Sequence, residues 1–134
     1  MRLEVQGKKA VTSPSEKVVL RALRSLRTHG PSSIAILSRD DGSFLQVGGG
    51  GVTCVLELRD AGSGKMYRAY KTERSKVFND GDILSFSGNK IRLASDEWLM
   101  MREVEPAFEK FLSGEELPAS LNWRELPELS KKLP

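Results

Sequence analysis

Side chains that could do chemistry are few in this sequence of 134 residues, which holds one His and one Cys. His29 is expected at a helix end, where the helix dipole favours a cation. Cys54 alternates with apolar residues along a predicted strand, so we expect a buried and unreactive thiol. Residues 87–90 (Ser-Gly-Asn-Lys) have the spacing of a Ser–Lys nucleophile pair, but that pair needs a helix and a turn is predicted here. No catalytic constellation emerges, and we expect a protein that is not an enzyme.

Two glycine-rich segments invite comparison with phosphate-binding loops. Residues 62–65 (Gly-Ser-Gly-Lys) lack the rest of that motif, and a hairpin instead of a helix is predicted to follow them. Residues 48–51 are four consecutive glycines, but position 53 is Thr, so they do not spell a dinucleotide-binding motif. We expect a bulge or loop that breaks a strand there, with the close approach of a partner's backbone as the alternative.

The composition gives little support for a metal site, a cofactor site or a membrane-spanning segment. One Cys and one His exclude an internal disulfide and the four N or S ligands of a structural zinc site. Residues 80–82 (Asp-Gly-Asp) lack the ligand series of a calcium loop. We therefore expect no metal and no cofactor. No run of 18 apolar residues and no apolar signal core are present, which favours a cytoplasmic protein outside the membrane.

Charge is distributed unevenly along the chain, although the net charge is only +3. Residues 1–30 carry seven basic and two acidic groups, whereas residues 96–128 carry three basic and nine acidic groups. Solvated surface of both signs explains such segregation, and two faces of opposite sign, one steering a partner, are the alternative. A basic helix could meet nucleic acid, but it has no aromatic residue and no second recognition helix follows it. Its basic residues are Lys17, Arg21, Arg24 and Arg27.

These residues must be positioned by elements that the hydrophobic pattern predicts. A weak edge strand covers residues 1–7, and a helix covers residues 14–29. Ser13 is expected to cap that helix, with Pro14 at its first position and Glu16 completing a capping box. Gly30, followed by Pro, is expected to stop it. The apolar stripe consists of Val19, Ala22, Leu23 and Leu26.

The middle of the chain is typical of β structure. Strands are predicted over residues 33–37, 44–47, 52–59, 66–71, 82–87 and 90–94, with turns or loops between them. Residues 98–101 could be a strand or a helix start. We favour a strand, because Pro106 suits the first turn of a helix over roughly residues 104–113 that Gly114 ends. Its core side is predicted to hold Val104, Ala107, Phe108, Phe111 and Leu112.

The element order predicts the fold class. One helix, a run of strands and a second helix, without long crossovers between successive strands, favour an α+β fold. We expect a mainly antiparallel β-sheet with an N-terminal helix and a C-terminal helix packed on it. The length suits a single domain over residues 1–134.

The C-terminal segment carries a resemblance. The predicted short helix has the aromatic–apolar pair Phe111 and Leu112 near its end and is followed by Gly114, Pro118 and Trp123. This resembles the C-terminal signature of immunity protein family one of bacterial polymorphic toxin systems, in which Phe-Phe-x-x-Gly-x-x-Pro precedes a Trp. The resemblance is tight over residues 105–126 and loose elsewhere. It departs in an extra residue before Pro118 and in the glycine run. The same residues would also serve as core that docks the tail: Phe108, Phe111, Leu112, Leu117, Leu121 and Trp123.

The resemblance implies an immunity protein that binds and neutralises a cognate toxin domain, often over its active site. If that toxin is a nuclease, its basic groove calls for carboxylates. The expected toxin-facing residues, with the glycine run nearby, are Asp40, Asp41, Asp80, Asp82, Glu97, Glu115 and Glu116. Alternatively, the basic helix faces an acidic toxin. The alternative functions are a small nucleic-acid-binding module and a regulatory protein–protein adaptor. We expect a monomer or homodimer.

Overall fold

A computed structural model describes residues 1–127 of the chain. Glu128, the last acid of the predicted acidic segment, lies outside the described residues together with residues 129–134. The fold is α+β, as predicted: two helices and nine strands occur in the described part, and seven of the strands form one antiparallel sheet. Within the same part, neither helix has the length and apolar character needed to cross a membrane.

The sheet is built from strands that mostly follow one another along the chain. Its spatial order is β2-β1-β3-β4-β5-β6-β9, and β7 and β8 form a separate hairpin. The strand bounds are β1 Arg2–Val5, β2 Val11–Thr12, β3 Ile34–Ser38, β4 Phe44–Gly50, β5 Thr53–Asp60, β6 Lys65–Tyr70, β7 Asp82–Phe86, β8 Asn89–Leu93 and β9 Asn122–Glu125.

The first helix, α1 (Glu16–Ser25), is shorter than the predicted helix over residues 14–29. Its N-cap is Ser15, whose side chain accepts a hydrogen bond from the Val18 N–H, so the prediction of Ser13 as the cap was wrong. The Ser13 N–H donates to the Met1 carbonyl, which keeps Ser13 beside the end of β1.

The end of α1 also differs from the prediction that Gly30 would stop it. Leu26 is already extended, and the Arg27 guanidinium donates to the carbonyls of Arg24 and Leu26. A side chain thus satisfies carbonyls that the helix leaves without partners. His29 consequently lies four residues beyond the end of α1 and is exposed.

The second helix, α2 (Met101–Ser113), begins earlier than predicted. A strand over residues 98–101 was the wrong choice, because Leu99 forms only an isolated bridge with Cys54. The Glu103 carboxylate accepts a hydrogen bond from the Met100 N–H at 2.9 Å, which closes the helix start. Pro106 therefore lies inside the helix. Because proline has no N–H, the carbonyl of Arg102, four residues earlier, has no helical hydrogen-bond donor, and Arg102 is an exposed residue. Gly114 ends α2 in the left-handed conformation, as expected.

Both helices pack on one face of the sheet and bury the main core. The predicted stripe of α2 is confirmed, since Val104, Ala107, Phe108 and Phe111 are fully or almost fully buried and Leu112 packs against them. Cys54 is buried in the same core. The tail docks as predicted, with Leu121 buried, and it adds a strand that the sequence did not indicate. In β9, Trp123 pairs with Ala69 of β6.

The β7–β8 hairpin covers part of the opposite face of the sheet. Val55 of β5 is buried under Phe86 and Trp98, in a second cluster that also contains Leu84 and Leu93. Strand β5 is therefore buried on both faces at this point. Its sequence alternates only partly, because Val55 is apolar on the side where a solvent-facing strand would be polar.

The glycine run is where these layers come closest. Strand β4 continues through Gly50, so the predicted break at residue 48 was wrong. A Cβ on Gly48 would lie 2.6 Å from Phe86 Cε2, and a Cβ on Gly50 would lie 2.5 Å from the Leu26 carbonyl oxygen. The close approach thus involves a ring of the hairpin and the backbone after α1, both from this chain.

We expect Gly48→Ala and Gly50→Ala each to lower the free energy of unfolding by about 1–3 kcal/mol, because each methyl overpacks a site that has no room. Gly62→Ala is the matched control. Its Cβ would have nothing nearer than 3.7 Å, and its φ is not left-handed. Urea unfolding measures all three variants. An unchanged midpoint for Gly50→Ala would contradict the close approach.

Candidate partner-binding surfaces

Four of the seven predicted toxin-facing acids meet at one end of the molecule. Asp40 and Asp41 are exposed in the β3–β4 turn, and Glu115 and Glu116 follow α2. A shallow cavity of about 340 Å³ adjoins them. Glu115 and Glu116 line it together with Arg39 and Ser43, which flank the turn acids, and with Arg59, whereas Asp40 and Asp41 are not part of the lining.

Hydrogen bonds bring a fifth acid to this place. The Asp41 carboxylate accepts from the Ser43 N–H at 2.8 Å, and the Ser43 hydroxyl accepts from the Ala61 N–H at 2.9 Å. The β3–β4 turn is thereby held against the β5–β6 turn, and Asp60 lines the same cavity. Asp60 has no such signal in the sequence, where it follows the predicted strand over residues 52–59. We call Asp40, Asp41, Asp60, Glu115 and Glu116 the acidic end.

Two carboxylates of the acidic end, Asp60 and Glu115, are stabilised in their charged form. Hydrogen bonds from the Ser63 hydroxyl and N–H lower the pKa of Asp60. The Ser113 hydroxyl, followed by Lys110, lowers the pKa of Glu115. Arg39, which also lines the cavity, lies over the Phe111 ring at 3.9 Å and donates to the Phe111 carbonyl.

Asp80 and Asp82 lie elsewhere and organise the segment before β7. Asp80 accepts hydrogen bonds from the Ser95 N–H and from Arg74, which lower its pKa in that order of importance. Asp82 accepts from the Asn79 N–H at 2.8 Å. No ion pair or hydrogen bond within residues 1–127 joins these two acids to the acidic end.

Glu97 belongs to an internal ion network. Its side chain is 6% exposed, and its oxygens accept from the Ala94 N–H at 2.7 Å and from Arg124 at 2.9 Å. Arg68 lies 3.6 Å away and binds Glu57 at 2.7 Å. A partner would reach Glu97 only if this network opened, so we leave it out of the proposed surface.

The network ties the last strand to the segment before α2. Arg124 of β9 also binds Asp96 at 3.1 Å and lies over the Tyr70 ring. Its hydrogen bonds with Asp96 and Glu97 raise the pKa of the guanidinium, against the opposing effect of partial burial. Asp96 and Glu97 are thus anchored to strand β9 of the sheet through Arg124, which lies 28 and 27 positions later in the sequence.

We expect Glu97→Gln to lower the free energy of unfolding by about 1–3 kcal/mol, because it removes the charge of a buried carboxylate that accepts from Arg124 and from the Ala94 N–H, while Arg124 keeps Asp96. Glu125→Gln breaks the exposed pair with Lys65 and serves as the control, with little or no change expected. Urea unfolding at pH 7 compares the two variants. Equal midpoints for both would contradict a structural role of Glu97.

A second candidate surface is the groove that we call the Trp98 groove. Its volume is about 640 Å³, and it lies between residues 71–78 and the start of α2. Val52 and Val77, which are 70% and 79% exposed, are the most exposed large apolar side chains in residues 1–127. The Phe78 ring stacks on Trp98 with 3.8 Å between centroids. The full lining is Val52, residues 71–78, Trp98, Met100, Glu103 and Ser120.

The polar groups of this groove are partly paired. Lys71 binds Glu103 at 3.3 Å and Arg74 binds Asp80 at 2.8 Å. Lys76 has no ion-pair partner in the described part of the chain. Within residues 1–127, the buried Trp98 Nε1 also finds no hydrogen-bond acceptor. This surface has little signal in the sequence, because residues 72–81 are mostly polar and lie between two predicted strands; the adjacent Val77 and Phe78 are the one indication.

The basic helix, α1, lies beside α2. Arg24 binds Glu105 of α2 through two hydrogen bonds of 3.0 and 3.2 Å, whereas Lys17 and Arg21 remain exposed. Glu16 lies close enough to Glu109 to raise the pKa of the Glu109 carboxyl. The basic and acidic segments therefore share one face of the sheet and partly neutralise each other.

The side chains considered for catalysis are Cys54, His29 and the pair formed by Ser87 and Lys90. Cys54 is buried, and His29 is exposed beside a small cavity formed with residues 85–88. Residues 87–90 form the predicted turn and start of β8, and the Ser87 hydroxyl donates to Gln6. Within residues 1–127, no three of the side chains that commonly bind metals are grouped to hold an ion.

We expect the Cys54 thiol to resist alkylation in the folded protein. Burial, assisted by the charge of Glu103, raises its pKa to about 12, so it stays protonated at pH 9, where an exposed thiol is largely ionised. Iodoacetamide labelling at pH 9 should be at least about 100-fold slower in buffer than in 8 M urea. Equal rates would contradict the burial.

Comparison with known proteins gives no match, either to a protein-family model or to a curated protein.

Proposed function

We propose that this protein is a cytoplasmic immunity protein that binds a cognate bacterial toxin domain and neutralises it by covering its active site. The observation that carries the proposal is the acidic end, where Asp60 lines one cavity with Glu115 and Glu116, which lie 55 and 56 positions later in the sequence, and Asp40 and Asp41 lie in the adjacent turn. The resemblance of residues 105–126 to the immunity family supports it independently.

The acidic end has the properties that such an inhibitor needs. Hydrogen bonds lower the pKa of Asp60 and of Glu115, and internal hydrogen bonds hold Asp41, Asp60 and Glu115 in place before a partner arrives. Its five carboxylates outnumber the cations beside them, which are Arg39, Arg59, Lys110 and the N-terminal ammonium. An excess of negative charge accelerates encounter with a basic active-site groove and favours the correct orientation. Inhibition then requires only that the complex dissociates slowly compared with the rate at which free toxin would reach its substrate. The immunity protein carries out no chemical step.

The proposal predicts that a neighbouring gene encodes a toxin domain, and co-expression with that domain tests it. We expect growth to be rescued and the two proteins to copurify. Replacement of Asp40, Asp41, Glu115 and Glu116 by Lys should weaken binding by at least about 100-fold and slow association most at low salt. Glu4→Lys, an exposed acid on β1, is the control and should bind as the wild type does.

Two results would contradict the proposal. If the wild-type chain neither rescues growth nor binds the toxin domain, the immunity function is wrong. If it also retains DNA or RNA that nuclease treatment removes, and Lys17→Glu with Arg21→Glu abolishes that retention, a nucleic-acid-binding module is the better description.

A further inference from the structure

We infer that the Trp98 groove is a second docking site, which receives an apolar segment of the toxin domain that also carries a carboxylate. This inference rests on the proposed function and adds the chemistry of a contact outside the acidic end. It depends on the apolar side chains, the charges and the position of the groove.

The apolar side chains point to a protein partner. Val52 and Val77 line the same groove although each is at least 70% exposed, whereas the other exposed large apolar residues, Val11 and Ile83, lie outside it. A small molecule within the groove would leave much of both valines in water. A protein segment laid across the groove would cover them, and the stacked Phe78 and Trp98 would form a preorganised aromatic surface beneath it.

The charges favour an acidic segment. Residues 71–76 carry three cations and one carboxylate, Glu73. Lys71 and Arg74 are already paired with Glu103 and Asp80, so they offer no free charge to a partner. Lys76 is the cation of the groove without an ion-pair partner in residues 1–127, and a single carboxylate beside the apolar contact would pair with it. The phosphates of a nucleic acid would leave the valines uncovered.

The position of the groove allows one toxin domain to contact both surfaces. The groove adjoins the N-terminal end of α2 through Met100 and Glu103, and the acidic end adjoins its C-terminal end. A helix of 13 residues is about 20 Å long, which is within the span of an interface of standard size.

Binding of the toxin domain that the co-expression experiment identifies, measured by calorimetry, tests the inference with two variants. The double variant Val52→Ser, Val77→Ser should bind at least about 30-fold more weakly, because it removes the apolar contact. Lys76→Glu should bind about 10-fold more weakly at 50 mM salt and recover partly at 500 mM. Both valines and Lys76 are exposed, so each variant should keep the wild-type urea midpoint.

Controls separate the groove from general effects of surface polarity. Val11→Ser and Ile83→Ser remove exposed apolar side chains elsewhere and should bind within about twofold of wild type. In a Trp123→Phe background, Trp98 becomes the only Trp, and its emission should change when the complex forms.

The outcomes distinguish this inference from the proposed function. If the wild type binds the toxin domain but the groove variants bind equally well and Trp98 emission is constant, the inference is wrong and the immunity function stands. If the wild type does not bind the toxin domain, both are wrong. Weaker binding by the groove variants alone, with unchanged controls, supports the groove as a docking site.

Discussion

The close packing of three layers at the glycines of β4 is the constraint on which the rest of the structure depends. The ring of Phe86 presses on one side of the strand at Gly48, and the backbone that follows α1 presses on it at Gly50. Any side chain there would force the hairpin or the helix away. The path of the chain after α1 and the position of the hairpin on the sheet are therefore both fixed by residues 48–50.

The internal ion network has a comparable effect on the second candidate surface. Glu97 is anchored to Arg124 and Arg68, and the residue that follows it is Trp98, which stacks on Phe78. Segment 94–98 thus contains the buried carboxylate of Glu97 and, next to it in the sequence, Trp98, which lines the Trp98 groove. A buried pair of this kind contributes little net stability, but its disruption is costly, so it specifies one position for the segment.

Much of the fold could be predicted because its signals are local. Alternation placed Cys54 in the core, and the spacing of Val104, Phe108 and Phe111 identified the buried side of α2. Gly114 marked the helix end because a left-handed residue is needed there. The predictions failed where a distant contact decided the outcome. Ser13 is held beside Met1 and not at a helix cap, and β9 exists because β6 offers it an edge.

The sequence by itself determined the order of the elements, the sheet's antiparallel character and the scarcity of catalytic side chains, because these depend on residue type and on spacings of two to four positions. Only the tertiary structure decided which acids are available to a partner. Glu97 and Glu115 look alike in the sequence, yet one is buried with an arginine 27 positions away and the other is exposed. Val52 and Val77, 25 positions apart, likewise became one surface through folding, since no local pattern encodes which distant residues will meet.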